Sequence, residues 1–136
     1  MIINANRQLN QRTATAAVEA ALILPVLILF TAAILDLGRL GKFADCVSNA
    51  ARNGAQYGMV NTTAAADSAG IRAAAVTEMA NLPNVTATNP AVTATIVSNG
   101  GSNYIQCKVD YTMTTFFQIY VVTHVIRTVE MPMMPQ

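Results

Sequence analysis

The residues able to do chemistry in this chain are few, and they are poorly grouped for it. His124 is the single histidine, so no histidine-rich metal site can form. It alternates with Val125 in a strand-like run and reads as structural or solvent-facing. Seven acids are scattered along 136 residues, with no close pair of the kind glycoside hydrolysis uses. No phosphate-binding loop, zinc-ligand spacing or nucleophile elbow occurs, and Gly54 and Gly58 fall inside a helical pattern. The chain reads as non-enzymatic, with no cofactor or metal.

Cys46 and Cys107 are the only cysteines. In an oxidising compartment a bridge between them would close a loop of about 60 residues and contribute about 2–4 kcal/mol. The alternative is two small buried hydrophobes. Both readings stand at the level of sequence. Glu19 is more informative, because it opens a strongly apolar run. A carboxylate inside lipid costs about 3 kcal/mol on insertion scales, and nothing else in that run neutralises it. A positive N-terminus or a neighbouring helix in a polymer would.

The composition explains why so little chemistry is on offer. Charged residues make up 11% of the chain and hydrophobic ones 53%, with aromatics at 6% and no Trp. Alanine supplies 23 positions. Eight basic residues against seven acidic ones give a net charge of +1, too little for a nucleic-acid surface. Intrinsic disorder is excluded by the low charge and high apolar content. The apolar excess belongs in a membrane or against other chains.

Ala20–Leu35 is free of charge, and Ala16–Leu37 carries only Glu19 and Asp36. About 20 such residues in a helix cross the roughly 30 Å of a bilayer core. A transmembrane helix over residues 15–37 is the reading, and Pro25 should kink it by removing one N–H and crowding the carbonyl of Ala21. A buried helix is one rival, but so small a domain cannot surround it. A cleaved secretory signal is the other, with Arg7 and Arg12 as its basic region and Thr31-Ala32-Ala33 as its cleavage site. Glu19 and the helical character beyond Ala33 argue against it. Arg7 and Arg12 stand without an acid in residues 1–14, so that arm reads as cytoplasmic and the rest as extracytoplasmic.

From Leu37 the apolar residues become periodic: Leu37, Leu40, Ala44, Val47, Ala51, Ala55 and Gly58. That spacing continues one helix to about Tyr57 and gives it a stripe of mostly small side chains. Small side chains allow a close approach, so the segment is built to pack against something. A second helix is expected over Thr63–Asn81, capped by Thr62 or Thr63 and closed by Pro83. Three strands follow, at Ala91–Ser98, Tyr104–Met113 and Val121–Met131, with a reversal at Asn99–Asn103. The middle strand alternates, with Ile105, Cys107, Val109, Tyr111 and Met113 on its buried face. The tail Met131–Gln136 is expected to fray. The fold class is α+β: a long N-terminal helix, a second helix and a three-stranded antiparallel sheet. The domains are 1–14, a basic leader; 15–37, the membrane span; 38–60, its extracytoplasmic continuation; and 61–136, an α+β domain.

Three blocks carry a family resemblance. Arg12-Thr13-Ala14-Thr15-Ala16-Ala17-Val18-Glu19-Ala20-Ala21-Leu22-Ile23-Leu24-Pro25-Val26-Leu27 resembles the opening of TadE-like proteins, minor pseudopilins of tight-adherence (Flp) pilus systems. Ile34-Leu35-Asp36-Leu37-Gly38-Arg39 and Ala50–Gly58 are similar to that family's next two landmarks, in the same order and spacing. The likeness is strongest over residues 12–58 and weaker over 104–130.

The resemblance implies a single-pass inner-membrane protein with a pilin-like fold, acting in pilus assembly, secretion and surface adherence. It implies partners among the other pseudopilins, the major pilin, the inner-membrane assembly platform, a prepilin peptidase and membrane lipid. By its register, scission falls between Ala14 and Thr15, and Glu19 is the fifth mature residue, positioned to meet the Thr15 amine of a neighbour. Ala14 stands where the family usually has Gly, and Ala20 where it commonly has Phe or Tyr. A membrane-anchored periplasmic binding or scaffold module outside any pilus is the alternative.

Overall fold

The computed structural model describes the backbone of residues 2–114 and 122–134, with side chains from residue 14 onward except at 122 and 123. The chain forms two compact units, Met1–Gly38 and Arg39–Gln136. The fold is α+β. Helix α1 runs over Ile2–Gly58, so helical backbone begins well before Thr15. Its Ala14–Gly58 portion is long and apolar enough to cross a membrane, and none of its most apolar window is buried.

In the second unit α1 is followed by α2 (Thr62–Ala66), α3 (Ser68–Thr77), β1 (Ala91–Asn99), β2 (Ser102–Thr114) and β3 (Val122–Pro132). The single helix expected over Thr63–Asn81 is therefore two. Asp67 breaks it with a non-helical backbone (φ −81, ψ 81). Its N–H closes α2 on the carbonyls of Thr63 and Ala64, while its side chain accepts from Gly70 N–H and opens α3. A short polar side chain that satisfies the backbone this way competes with helix continuation. The N-cap of α2 is Asn61, which accepts from Ala64 N–H at 2.7 Å, rather than Thr62 or Thr63. It lies one residue earlier than the threonines, where its carbonyl oxygen meets the third helical N–H.

The sheet has the order β1-β2-β3, antiparallel throughout. Asn99 pairs with Ser102, so the expected five-residue reversal shrinks to Gly100-Gly101. Both glycines have positive φ, 60 and 83, which a tight two-residue hairpin requires. The expected start of β3 at Val121 lies outside the described residues.

The core joins Phe43, Val47, Ala50, Ala51 and Ala55 of α1 to Ile71 and Ala75 of α3 and to Ile105, Cys107, Val109, Tyr111 and Met113 of β2. The alternation of β2 matches the face read from sequence. Of the expected α1 stripe, Val47, Ala51, Ala55 and Gly58 are buried and Leu40 and Ala44 are half-buried against the core; Leu37 is 69% exposed, and Phe43, Ala50 and Gly54 widen the buried face. The buried set 43, 47, 50, 51, 54, 55 and 58 keeps the 3.6-residue period.

As far as Met134 the tail is tied rather than frayed; Pro135 and Gln136 lie outside the described residues. Met133 N–H donates to Asn103 O at 2.9 Å, and Met134 N–H to Met59 O at 3.0 Å. Pro132 does not prevent this, because it ends an edge strand.

Candidate functional site

The first unit presents a helix with its apolar side chains outward. Val18, Leu22, Leu27, Phe30, Ile34 and Leu35 are all exposed, Leu22 at 71%. So large an unbroken apolar surface must meet lipid or other helices. Ala14, Thr15 and Glu19 lie on this helix, all exposed, and Pro25 lies inside it. Arg7 and Arg12 fall where side chains are not described. Thr31 donates its hydroxyl to Leu27 O at 2.8 Å, which satisfies it locally within the helix.

The second unit answers what the small-residue stripe packs against. A Cβ on Gly54 would sit 2.8 Å from Cys107 Sγ and 3.3 Å from Ile71 Cγ2. One on Gly58 would sit 2.9 Å from Ile105 Cγ1. Further up, the Phe43 ring meets Tyr111 edge-on, with centroids 5.9 Å apart at 85°. Residue numbers rise along α1 as they fall along β2, so helix and strand run antiparallel. Fifteen helical residues rise about 22 Å, and six strand residues about 20 Å. The two lengths match, and the helix lies along the strand. The stripe is thus filled by the domain's own sheet and α3.

Cys46 and Cys107 are both free thiols in this structure. Cys107 faces Gly54, whereas Cys46 lies eight residues earlier, about 12 Å along the helix. Disulfide geometry requires Cα atoms within about 7 Å. Burial pushes the Cys107 thiol up to about 11, so it is inert at neutral pH.

The polar side chains are spent on local structure. Asp110 and His124 meet at 2.9 Å on the outer sheet face, both solvent-accessible. Gln106 donates to Glu130 at 2.6 Å further along the same face. Tyr57 OH donates to Asp67 at 2.8 Å. The Gly70 N–H and then that bond hold the Asp67 carboxyl below the usual range, and the same carboxylate raises Tyr57. Arg72 reaches the carbonyls of Pro90, Thr86 (3.0 Å) and Ala87 (2.7 Å), fastening the loop that leads into β1. Tyr111 OH donates to Pro83 O. Among the described residues, no group of three or more His, Cys, Asp or Glu side chains is placed to hold a metal ion.

The signal that does reach beyond the fold is in the helix. Residues 14–56 match the model of the TadE-like protein family. Over that segment the sequence is similar to TadE-like proteins. The match covers Thr15, Glu19 and Pro25, the whole exposed apolar stretch and the buried stripe as far as Ala55. The weaker likeness over 104–130 lies outside it. No curated protein and no solved structure matches the chain. The similarity over this segment and the apolar helix within it support a membrane-associated role of the general pilus-assembly kind.

Sequence reasoning missed Phe43, Asp67 and Arg72. Phe43 stands four residues before Val47 on the stripe's period, a signal that was present. Arg72 carried none, since its carbonyl partners lie 14 to 18 residues away.

Proposed function

We propose that this protein is a minor pseudopilin or assembly subunit of a Flp/Tad-type pilus, acting by helix packing in the inner membrane. The observation that carries the reading is the coincidence of the TadE-like segment with an outward-facing apolar helix that bears Glu19 near its start. In this reading the N-terminus is cytoplasmic and the second unit extracytoplasmic. A prepilin peptidase cuts between Ala14 and Thr15, and the freed Thr15 amine meets Glu19 of a neighbouring subunit. In lipid that attraction is strong, and it offsets part of the desolvation of both charges. The partners are the other pseudopilins, the major pilin and the assembly platform.

The second reading is a membrane-anchored module outside any filament. It is favoured by the packing of the small-residue stripe, which the domain itself consumes, so that stripe is no argument for a neighbour. Glu19 separates the two. Glu19→Gln removes the charge and keeps the shape, and membrane insertion should be unchanged or easier. An assembly subunit then loses copurification with pilus components while its leader is still cleaved and its helix inserted. Wild-type assembly by both Glu19→Gln and Glu19→Ala would remove the registering role of Glu19, whereas a wild-type protein that does not copurify with pilus components would leave the anchored module.

A further inference from the structure

Backbone pairing brings four of the seven methionines to one end of the second unit. Met59 follows the last residue of α1, its N–H still bonded to Ala55 O at 2.9 Å. Gly58 beside it lies against Ile105, and Ile105 pairs with Met131 on β3. Two residues on, Met133 is held to Asn103 O, and Met134 N–H binds Met59 O. Backbone hydrogen bonds thus bring Met59, Met131, Met133 and Met134 together from opposite ends of the unit's sequence. Met59, Met131 and Met133 are half-buried at the rim of the core, and Met134 is 49% exposed.

Packing alone does not call for this choice. A rim position is served as well by Leu, which specifies a conformation better than Met does. What Met adds is a soft, neutral sulfur on an unbranched stem with three rotatable bonds. Several thioethers that can turn toward one point without moving the backbone suit a soft monovalent cation. They do not suit zinc, calcium or magnesium, which take harder or charged donors. A thioether has no proton to lose, so such a site would work across the whole neutral and acidic range.

We propose that Met59, Met131, Met133 and Met134 form a thioether site for Cu(I), clamping the end of α1 to the C-terminal strand. The proposal is independent of the reading of Glu19. The competing soft ligands are the two thiols. Cys107 is buried and protonated, and Cys46 is thirteen residues before Met59, about 20 Å along the helix.

The test uses the full chain in detergent micelles with Ag(I), a redox-inert probe of the same softness, in chloride-free buffer. Wild type and Cys46→Ala should each bind one ion tightly by competition titration. Met131→Leu/Met133→Leu, a volume-conserving change, should weaken binding by more than about 100-fold, the upper scale set by outer-shell partners alone. Met134→Leu, at the exposed position, should weaken it in the same direction without touching the core. Far-UV circular dichroism should be unchanged in both. Equal affinity in the methionine variants, loss of binding in Cys46→Ala, or no stoichiometric binding by wild type would each overturn the proposal. The methionines would then be rim packing only.

Discussion

The sulfur of Cys107 lies 2.8 Å from where a side chain on Gly54 would begin. This contact sets how closely α1 approaches β2. Phe43 fills the wider gap at one end of the crossing, and Gly54 and Gly58 let the backbones close at the other. Glycine within a helix is unfavourable by about 1 kcal/mol relative to alanine. Here the close approach offsets that by burying Ile71, Ile105 and Cys107 completely.

Gly54→Ala should destabilise the second unit despite its better helix propensity. Overpacking a filled core costs about 1–3 kcal/mol, against a propensity gain of about 1. Gly41→Ala is the matched control, because nothing lies within 4 Å of its added Cβ. It should be neutral or stabilising by up to about 1 kcal/mol. Urea unfolding of the full chain in micelles reads both, and equal effects would discard the close-approach argument.

The thiols should behave as two separate groups. Reduced and non-reduced protein should run identically on a gel, and native alkylation should reach Cys46 well before Cys107. Burial raises Cys107 to about 11 from an ordinary 9.0. The folded state therefore holds its proton while the unfolded chain loses it. Stability from this group is intact below about pH 9 and falls as pH rises toward 11. Cys107→Ala should flatten that alkaline slope, although its overall stability is lower.

Asp67 should make the fold acid-sensitive in a defined window. Its carboxyl is depressed by Gly70 N–H and then by Tyr57 OH. Its stabilising contribution is present above the ordinary carboxylate value of 3.8 and is lost as pH falls through the lower folded value. Asp67→Asn should keep the α3 cap and remove part of that acid slope. Asp67→Ala should lose the cap as well and melt lower at neutral pH. Acid titration followed by circular dichroism distinguishes the three proteins.

Arg72→Lys should act almost like Arg72→Ala. A single ammonium cannot span the three carbonyls that the planar guanidinium reaches at Thr86, Ala87 and Pro90. Loss of these charge-assisted bonds should cost about 1–3 kcal/mol. Hydrogen exchange should rise first in residues 84–90 and at the start of β1. A lysine variant with wild-type exchange would show the bonds to be dispensable.

Much of this protein is written locally. The unbroken apolar run through Ala20–Leu35, the alternation of β2 and the Gly100-Gly101 reversal each depend on near neighbours. Periodicity and turn chemistry read them directly, and the TadE-like blocks lie in the same continuous stretch. Tertiary structure decided what depends on distance across the fold. The 3.6-residue period announced a stripe on α1 but not its width, and packing against the sheet and α3 widened the buried face to include Phe43 and Gly54. Cysteine spacing permitted a bridge, and the antiparallel run of α1 along β2 placed Cys46 about 12 Å from Cys107's partner. Asp67 looked like a residue within a helix until its bonds to Gly70 and Tyr57 made it a break. The methionines of the tail gained a role only when β3 carried them back to Met59. In each case the sequence supplied a donor, a sulfur or a gap, and its partner was fixed by chain topology alone.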